Sequence, residues 1–219
     1  MGTESIHPNN LGVILVDFQV DFTEEMQGSL AVPGTDRHYI MQVSDATKQF
    51  FKKNLPVYAT QDWHPVNHLS FHTNNPGTHP FDVIEVDGRS QIMWPPHCVQ
   101  GTKGADILID EKFLKQIIQK GMHPRFDSYS GFADDGGKIT QLEKFLNHDR
   151  VTELIIYGLA TDHCIKATVL DAIKAGFRVH LLLDLCRGVL PETTAAAIEK
   201  MRTHGVDIIE KSAFNPGKD

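Results

Sequence analysis

The chain has 219 residues, of which 41% are apolar, enough for one sizeable core and too many for a disordered segment. A net charge of −7 leaves no electrostatic footprint for nucleic acid, and no apolar run approaches the roughly 20 residues of a membrane span. Three scattered cysteines, Cys98, Cys164 and Cys186, are too few for a disulfide framework and fit a reducing cytoplasm.

The opening MGTESIHPNN has neither a basic n-region nor an apolar h-region, so no signal peptide is expected; Ile6 stands where a myristoylation signal needs Ser or Thr. Leu11 to Val16 is a continuous apolar, partly β-branched run ending at Asp17, the pattern of a buried parallel strand. Residues 35–54 carry Tyr39, Ile40, Val43, Ala46, Phe50 and Phe51 at helical spacing, with Thr35 or Asp36 as cap. Pro56 to Thr60 reads as a second strand. Residues 61–105 have no clean period and are rich in Pro, Gly, Asn and His, and a loop this long in one domain is usually functional. Further elements are a strand at Gln116–Gln119, a helix over 138–148, a strand over 152–157 and a helix over 162–175. A strand at Phe177–Leu183, a helix over 191–204 with Pro191 in its first turn, and a closing strand at Val206–Ile209 complete the order. The alternation predicts one α/β domain over 1–219, with a mostly parallel six-stranded sheet and helices on both faces.

In such folds ligands bind beyond the carboxyl ends of the strands. Three reactive side chains fall at those ends: Asp17, Lys120 and Cys164. Cys164 opens a helix, where partial positive charge favours the thiolate. Asp17 could take a thiol proton if burial raises its pKa, with Lys120 as the tuning cation. Singly, Asp17 reads as a strand-end cap, Lys120 as a solvated charge and Cys164 as a small buried thiol; together they point to a site.

Five of the 12 histidines lie between 64 and 97. Asp62 and His64 are two apart after a strand, so both project to one side, and His97 follows two prolines that fix the backbone. Asp62, His64, His68 and His97 could hold zinc, iron or manganese; the alternative is loop histidines that cap turns or face water. Phe22, Trp94 and Tyr129 suit either packing or a flat aromatic ligand. Asp21 and Asp162 either orient neighbours or cap, and Cys98 and Cys186 read as structural.

Several stretches resemble nicotinamidases (pyrazinamidases) within the isochorismatase-like hydrolases. They are Asp17-Phe18-Gln19-Val20-Asp21-Phe22, Gly28 to Gly34, Thr60 to Pro65, His68 to Phe71, Met93 to Thr102, Lys120-Gly121, Asp127 to Phe132 and Gly158 to Cys164. The similarity covers roughly residues 11–210, and Trp94-Pro95-Pro96-His97-Cys98 is among its more specific parts. It implies hydrolysis of nicotinamide to nicotinate and ammonia in pyridine nucleotide salvage, part of NAD biosynthesis. Cys164 would be the nucleophile, Asp17 the proton carrier, Lys120 their charge partner, and the backbone N–H groups of Ala160 and Cys164 the oxyanion hole. Phe22, Trp94 and Tyr129 would line the substrate pocket. Asp62, His64 and His97 would hold one divalent ion, zinc first, then iron or manganese, with His68 a further candidate ligand. A cis peptide before Ala160 is also implied. Val20 departs from the family's frequent Asn, and His72 to Ile92 is longer than in short members. The small molecule is the only partner implied, with no nucleic acid and no membrane; a homo-oligomer is allowed. Alternatives are an isochorismatase-like hydrolase acting on an N-carbamoyl or other amide, and a non-enzymatic metal-binding protein with a sensing thiol.

Overall fold

A computed structural model of the chain describes residues 10–210; the N-terminal reading above lies outside these. The apolar run at the start forms β1 (Leu11–Val16), buried at every position. It lies between β2 (Val57–Asp62) and β6 (Glu153–Leu159), and both pairings are parallel. A strand buried on both faces has no polar side to show, so its sequence reads as continuous rather than alternating.

The full sheet runs β5-β2-β1-β6-β7-β8, with β5 at Gln116–Lys120, β7 at Arg178–Arg187 and β8 at Asp207–Ile209. Every pairing within it is parallel. Four helices connect these strands: α1 (Arg37–Lys52), α2 (Leu142–His148), α3 (Lys166–Lys174) and α4 (Pro191–Thr203). Asp36 caps α1, its carboxylate accepting from Tyr39 N at 2.9 Å, and Pro191 opens α4. From β1 the chain steps towards β2, whereas from β6 it steps the opposite way, towards β7. Right-handed crossovers therefore place α1 on one face and α3 and α4 on the other, with the switch point between β1 and β6. Gly158 sits at that switch with φ +127°, and a Cβ there would meet Val16 O at 2.2 Å. Only glycine lets β1 and β6 approach so closely.

Several sequence expectations shift. The 61–105 stretch is not structureless: it holds an antiparallel hairpin, β3 (Val83–Val86) and β4 (Arg89–Ile92), turned at Asp87-Gly88, both with positive φ. The helix expected over 138–148 begins only at Leu142. Before it, Ile139 bridges back to Ala133, and Thr140 Oγ1 donates to Gly131 O at 2.6 Å and accepts from Leu142 N at 3.1 Å. The helix expected from 162 starts with a widened π turn, Thr161–Ile165, and becomes α-helical at Lys166. The strand expected to stop near Asp184 continues to Arg187, with a register shift against β6 between Ile156 and Gly158. No helix among the described residues is long and apolar enough to cross a membrane.

Candidate active site

Strand ends deliver the charged groups. Thr60 and Asp62 are two apart on β2 and so share a face, and Lys120, the last residue of β5, lies in register with Asp62. Asp17 follows β1 with φ +44°. The Lys120 ammonium is fully buried, 2.9 Å from Asp17 Oδ2 and 2.5 Å from Asp62 Oδ1. It also donates to Ser128 O at 2.7 Å and lies 3.5 Å from Cys164 Sγ. Asp17, Asp62 and Cys164 bring their reactive atoms within 4.8 Å of one another.

Thr60 Oγ1 donates to Asp17 Oδ1 at 2.6 Å, and Asp17 N donates back to Thr60 Oγ1 at 3.1 Å. Asp17 Oδ2 is held by the Lys120 ammonium at 2.9 Å, and Cys164 Sγ lies within 4.8 Å of the same carboxylate. A carboxylate oxygen so held keeps a further lone pair for an incoming proton. Burial raises the Asp17 pKa above the ordinary carboxylate value, and Lys120 only partly offsets this. Asp62 moves the other way: burial opposes its charge, but Lys120 and then His64 outweigh burial and hold it well below the ordinary value. Two neighbouring carboxylates with separated pKa values can take different roles.

The surroundings of Cys164 oppose the thiolate that a helix start would favour. Burial pushes its thiol well above the usual range, and Lys120 opposes without prevailing. The helix start does not decide this titration because Cys164 is buried beside two carboxylates. A thiol held in this form would need a base before it could attack, and Asp17 is within reach.

Asp62, His64 and His97, all buried, form a group with ligand atoms within 4.8 Å. His64 Nδ1 is bonded to Gly121 O at 2.9 Å and His97 Nδ1 to Pro95 O at 2.8 Å. Each carbonyl fixes the ring tautomer and leaves Nε2 for a cation. His64 Nε2 lies 3.5 Å from Asp62 Oδ2. Burial, reinforced by His64, lowers His97 to about 4, so its ring is neutral, the ligating form. The donor set fits a divalent ion of the zinc, iron or manganese type. His68 is placed differently: Nδ1 pairs with Ser70 Oγ at 2.8 Å and Nε2 with Phe126 O at 3.1 Å. It groups with His64 and Asp127, and ligating through it would break one of those bonds.

Phe22, Trp94, Tyr129, Ala160, His163 and Cys164 line a narrow cavity with about 500 Å³ of empty volume counted to its mouth. Asp62, His64 and His97 reach the same cavity. The peptide between Leu159 and Ala160 is cis. A wider groove, about 1510 Å³, runs along the β5 edge, but it holds neither Cys164 nor Asp17.

Residues to which sequence reasoning gave no role, or left one open, complete the arrangement. Gln19 clasps the end of β2, donating to Asp62 O and accepting from Asp62 N, both at 2.8 Å. Asp21 orients rather than caps a helix: it accepts from Cys98 N at 2.7 Å, and a Cβ on Gly104 would strike its carboxylate at 2.1 Å. Asp162 holds the turn that leads into α4, accepting from Val189 N at 2.9 Å and Leu190 N at 3.2 Å. His163 packs against Tyr129 and Trp94 with ring centroids 5.9 and 5.3 Å apart. Val20 is buried, and its N–H donates to Asp106 O at 3.0 Å.

A parallel sheet with a buried acid, ammonium and thiol at its carboxyl edge, beside a two-histidine, one-carboxylate group, defines a class of hydrolase. The chain matches the isochorismatase domain over residues 12–213 and belongs to that family. Among its relatives, the nicotinamidase of Escherichia coli (strain K12) is 39% identical over 202 residues, covering 90% of this chain and 92% of that protein. PnC1 of L. infantum, solved in complex with nicotinate, superposes with a TM-score of 0.81 at 32% identity, over 96% of this chain and 97% of the other. The pyrazinamidase of Pyrococcus horikoshii, solved in complex with zinc, gives a TM-score of 0.76 at 36% identity, over 92% of this chain and 99% of the other.

Proposed function

We propose that this protein is a nicotinamidase, an amidohydrolase that converts nicotinamide to nicotinate and ammonia through a thioester on Cys164. One observation carries the reading: a single buried ammonium lies 2.9 Å from Asp17 and 3.5 Å from Cys164, beside the Asp62, His64 and His97 group. Cys164 Sγ attacks the carboxamide carbon while Asp17 takes the thiol proton. Asp17 passes that proton to the departing nitrogen, and ammonia leaves. Water then attacks the thioester, giving its proton to Asp17, and the acyl–sulfur bond breaks. Nicotinate departs and Cys164 regains its proton. Lys120 partly offsets the upward shift that burial gives Asp17, so the acid can cycle between its two forms. The N–H groups of Ala160 and Cys164 stabilise the developing oxyanion, and such donors are worth roughly 3 kcal/mol each. Phe22, Trp94 and Tyr129 hold the flat ring. A divalent ion, zinc first, held by Asp62, His64 and His97 would supply a Lewis-acid anchor for the ring nitrogen.

The chain acts as one catalytic domain, with the 61–105 connection completing the pocket; its setting is cytoplasmic pyridine nucleotide salvage. The ring-lined cavity favours an aromatic carboxamide over an open-chain N-carbamoyl substrate. The test is ammonia release from nicotinamide by the metal-loaded protein and by its Cys164→Ala variant. The variant should lose turnover by about 10⁴-fold or more while keeping its circular dichroism. Normal turnover in that variant would refute the scheme.

A further inference from the structure

We infer that Gln91 and Asp127 are positioning residues that set the gap between the two pocket rings, through a hydrogen-bond relay closed on the β3–β4 hairpin. The inference rests on the reading of the cavity as a slot for an aromatic carboxamide, and it names what controls the width of that slot.

The relay joins two stretches of chain. Trp94 Nε1 donates to Tyr129 Oη at 3.1 Å, and Tyr129 Oη donates onward to Asp127 Oδ2 at 3.3 Å. Gln91 Nε2 donates to that same carboxylate oxygen at 2.6 Å. Gln91 is on β4 and Trp94 lies three residues on, while Asp127 and Tyr129 are two apart on the segment after β5. The bonds therefore form a closed ring between two walls of the cavity. Gln91, Asp127 and Trp94 are buried, so a broken link leaves a polar group without water to replace it. The carboxylate is the hub, and bonds to a charged acceptor are the stronger kind.

Two neighbouring contacts show the hairpin fixed along this line. Arg89, two residues before Gln91 and so on the same face of β4, places its guanidinium 4.5 Å over the Phe126 ring. Asp87, in the turn, pairs with Arg125 at 2.5 Å. Positions 87, 89 and 91 thus meet 125, 126 and 127 in order. The outermost link is exposed and the innermost is buried, so the one nearest the rings carries the positioning. None of these residues touches Asp17, Lys120 or Cys164 through any hydrogen bond or ion pair described above. Loosening the relay should weaken substrate binding and leave the chemical step nearly intact.

The test uses the metal-loaded full chain and three variants: Gln91→Leu, Tyr129→Phe and the exchange Gln91→Glu with Asp127→Asn. In the exchange an amide nitrogen in the place of Asp127 Oδ2 donates one hydrogen to the new carboxylate at 91 and the other to Tyr129 Oη, so both links survive with their direction reversed. For Gln91→Leu the expected result is a KM for nicotinamide raised about tenfold with kcat within threefold. The exchange should recover most of that loss. A second measurement needs no turnover. The chain has two tryptophans, Trp63 and Trp94, hence two indole N–H resonances in an ¹⁵N spectrum. Gln91→Leu should shift the same indole resonance that Tyr129→Phe shifts and leave the other in place. An unmoved indole, an unchanged KM, or an exchange variant no better than Gln91→Leu each overturns the inference. If the wild-type protein released no ammonia, the functional reading would fail, and the indole shift would still decide whether the relay exists.

Discussion

The two ends of the same sheet treat charge in opposite ways. At the amino end, the lysine and arginine pairs are partly open to water: Lys115 with Asp149 at 2.6 Å, and Arg178 with Asp207 at 3.2 Å, with side chains up to 51% exposed. At the carboxyl end, Lys120, Asp17 and Asp62 share one network with side-chain exposures of 0%, 1% and 6%. Exposed pairs contribute about 0–1 kcal/mol and tolerate loss of a partner. Buried ones cost several kcal/mol per ion to desolvate, so a fold that only needed stability would gain by replacing them with apolar side chains. Concentrating that cost at the switch point sets this edge apart from the rest of the sheet, as the proposed chemistry requires.

The comparison breaks most readily at its centre. Lys120→Met removes the ammonium that faces two buried carboxylates, and breaking a buried network in this way typically costs about 3–5 kcal/mol. Urea unfolding should show that loss together with abolished ammonia release. A loss below about 1 kcal/mol would mean that the carboxyl-end charges are as weakly held as surface ones. Metal removal comes next. Chelation should lower ammonia release on the order of tenfold or more, with recovery on adding zinc, while the sheet persists by circular dichroism. Full activity after verified metal loss would remove Asp62, His64 and His97 from the reaction.

Thr60→Val acts more gently. The Thr60 hydroxyl bond at 2.6 Å lowers the pKa of Asp17, against the larger upward effect of burial. In the proposed scheme Asp17 must be ionised to take the thiol proton, so activity should fall as pH drops through its folded pKa. Losing the hydroxyl raises that pKa further, and the acid limb of the kcat/KM profile should move to higher pH. An acid limb that stayed in place would assign the limb to another group.

How much of this was readable in the sequence differs between strand ends and connections. Asp17, Lys120 and Cys164 were legible because apolar runs of fixed period end at them, and the parallel topology then brings those ends together. Lys120 alone looked like a surface charge; only the register with Asp62 shows it buried between acids. The hairpin was missed although Asp87-Gly88 is a strong two-residue turn signal. Its strands are four residues each and partly exposed, so they show no clean alternation. The clasp of Gln19 on Asp62 and the relay from Gln91 to Tyr129 join residues 43 and 38 or fewer positions apart through side-chain bonds that leave no periodic trace. The helix expected from 138 failed because Gly136-Gly137 and Thr140 favour a turn bonded back to Gly131. Burial, and not the helix start, sets the Cys164 thiol, a competition invisible until neighbours are placed.

The smallest effect belongs to the amino end and serves as the control. Asp149, at the end of α2, pairs with Lys115 and accepts from the Tyr58 hydroxyl on β2. Burial opposes its charge, but Lys115 and then Tyr58 prevail and hold its carboxyl below the ordinary value of 3.8. A folded-state pKa below the unfolded one means that the unfolded chain binds more protons, so this contribution is present above about pH 4 and is lost as pH falls through the folded value. Asp149→Asn should therefore cost about 1 kcal/mol at pH 7, read from urea midpoints, and the deficit should shrink towards pH 3. Both kcat and KM should stay put, because the pair lies at the opposite end of the strands from Cys164. A Lys120-sized loss of stability here, or any change in KM, would mean that the two ends of the sheet are coupled and that the carboxyl edge does not stand apart.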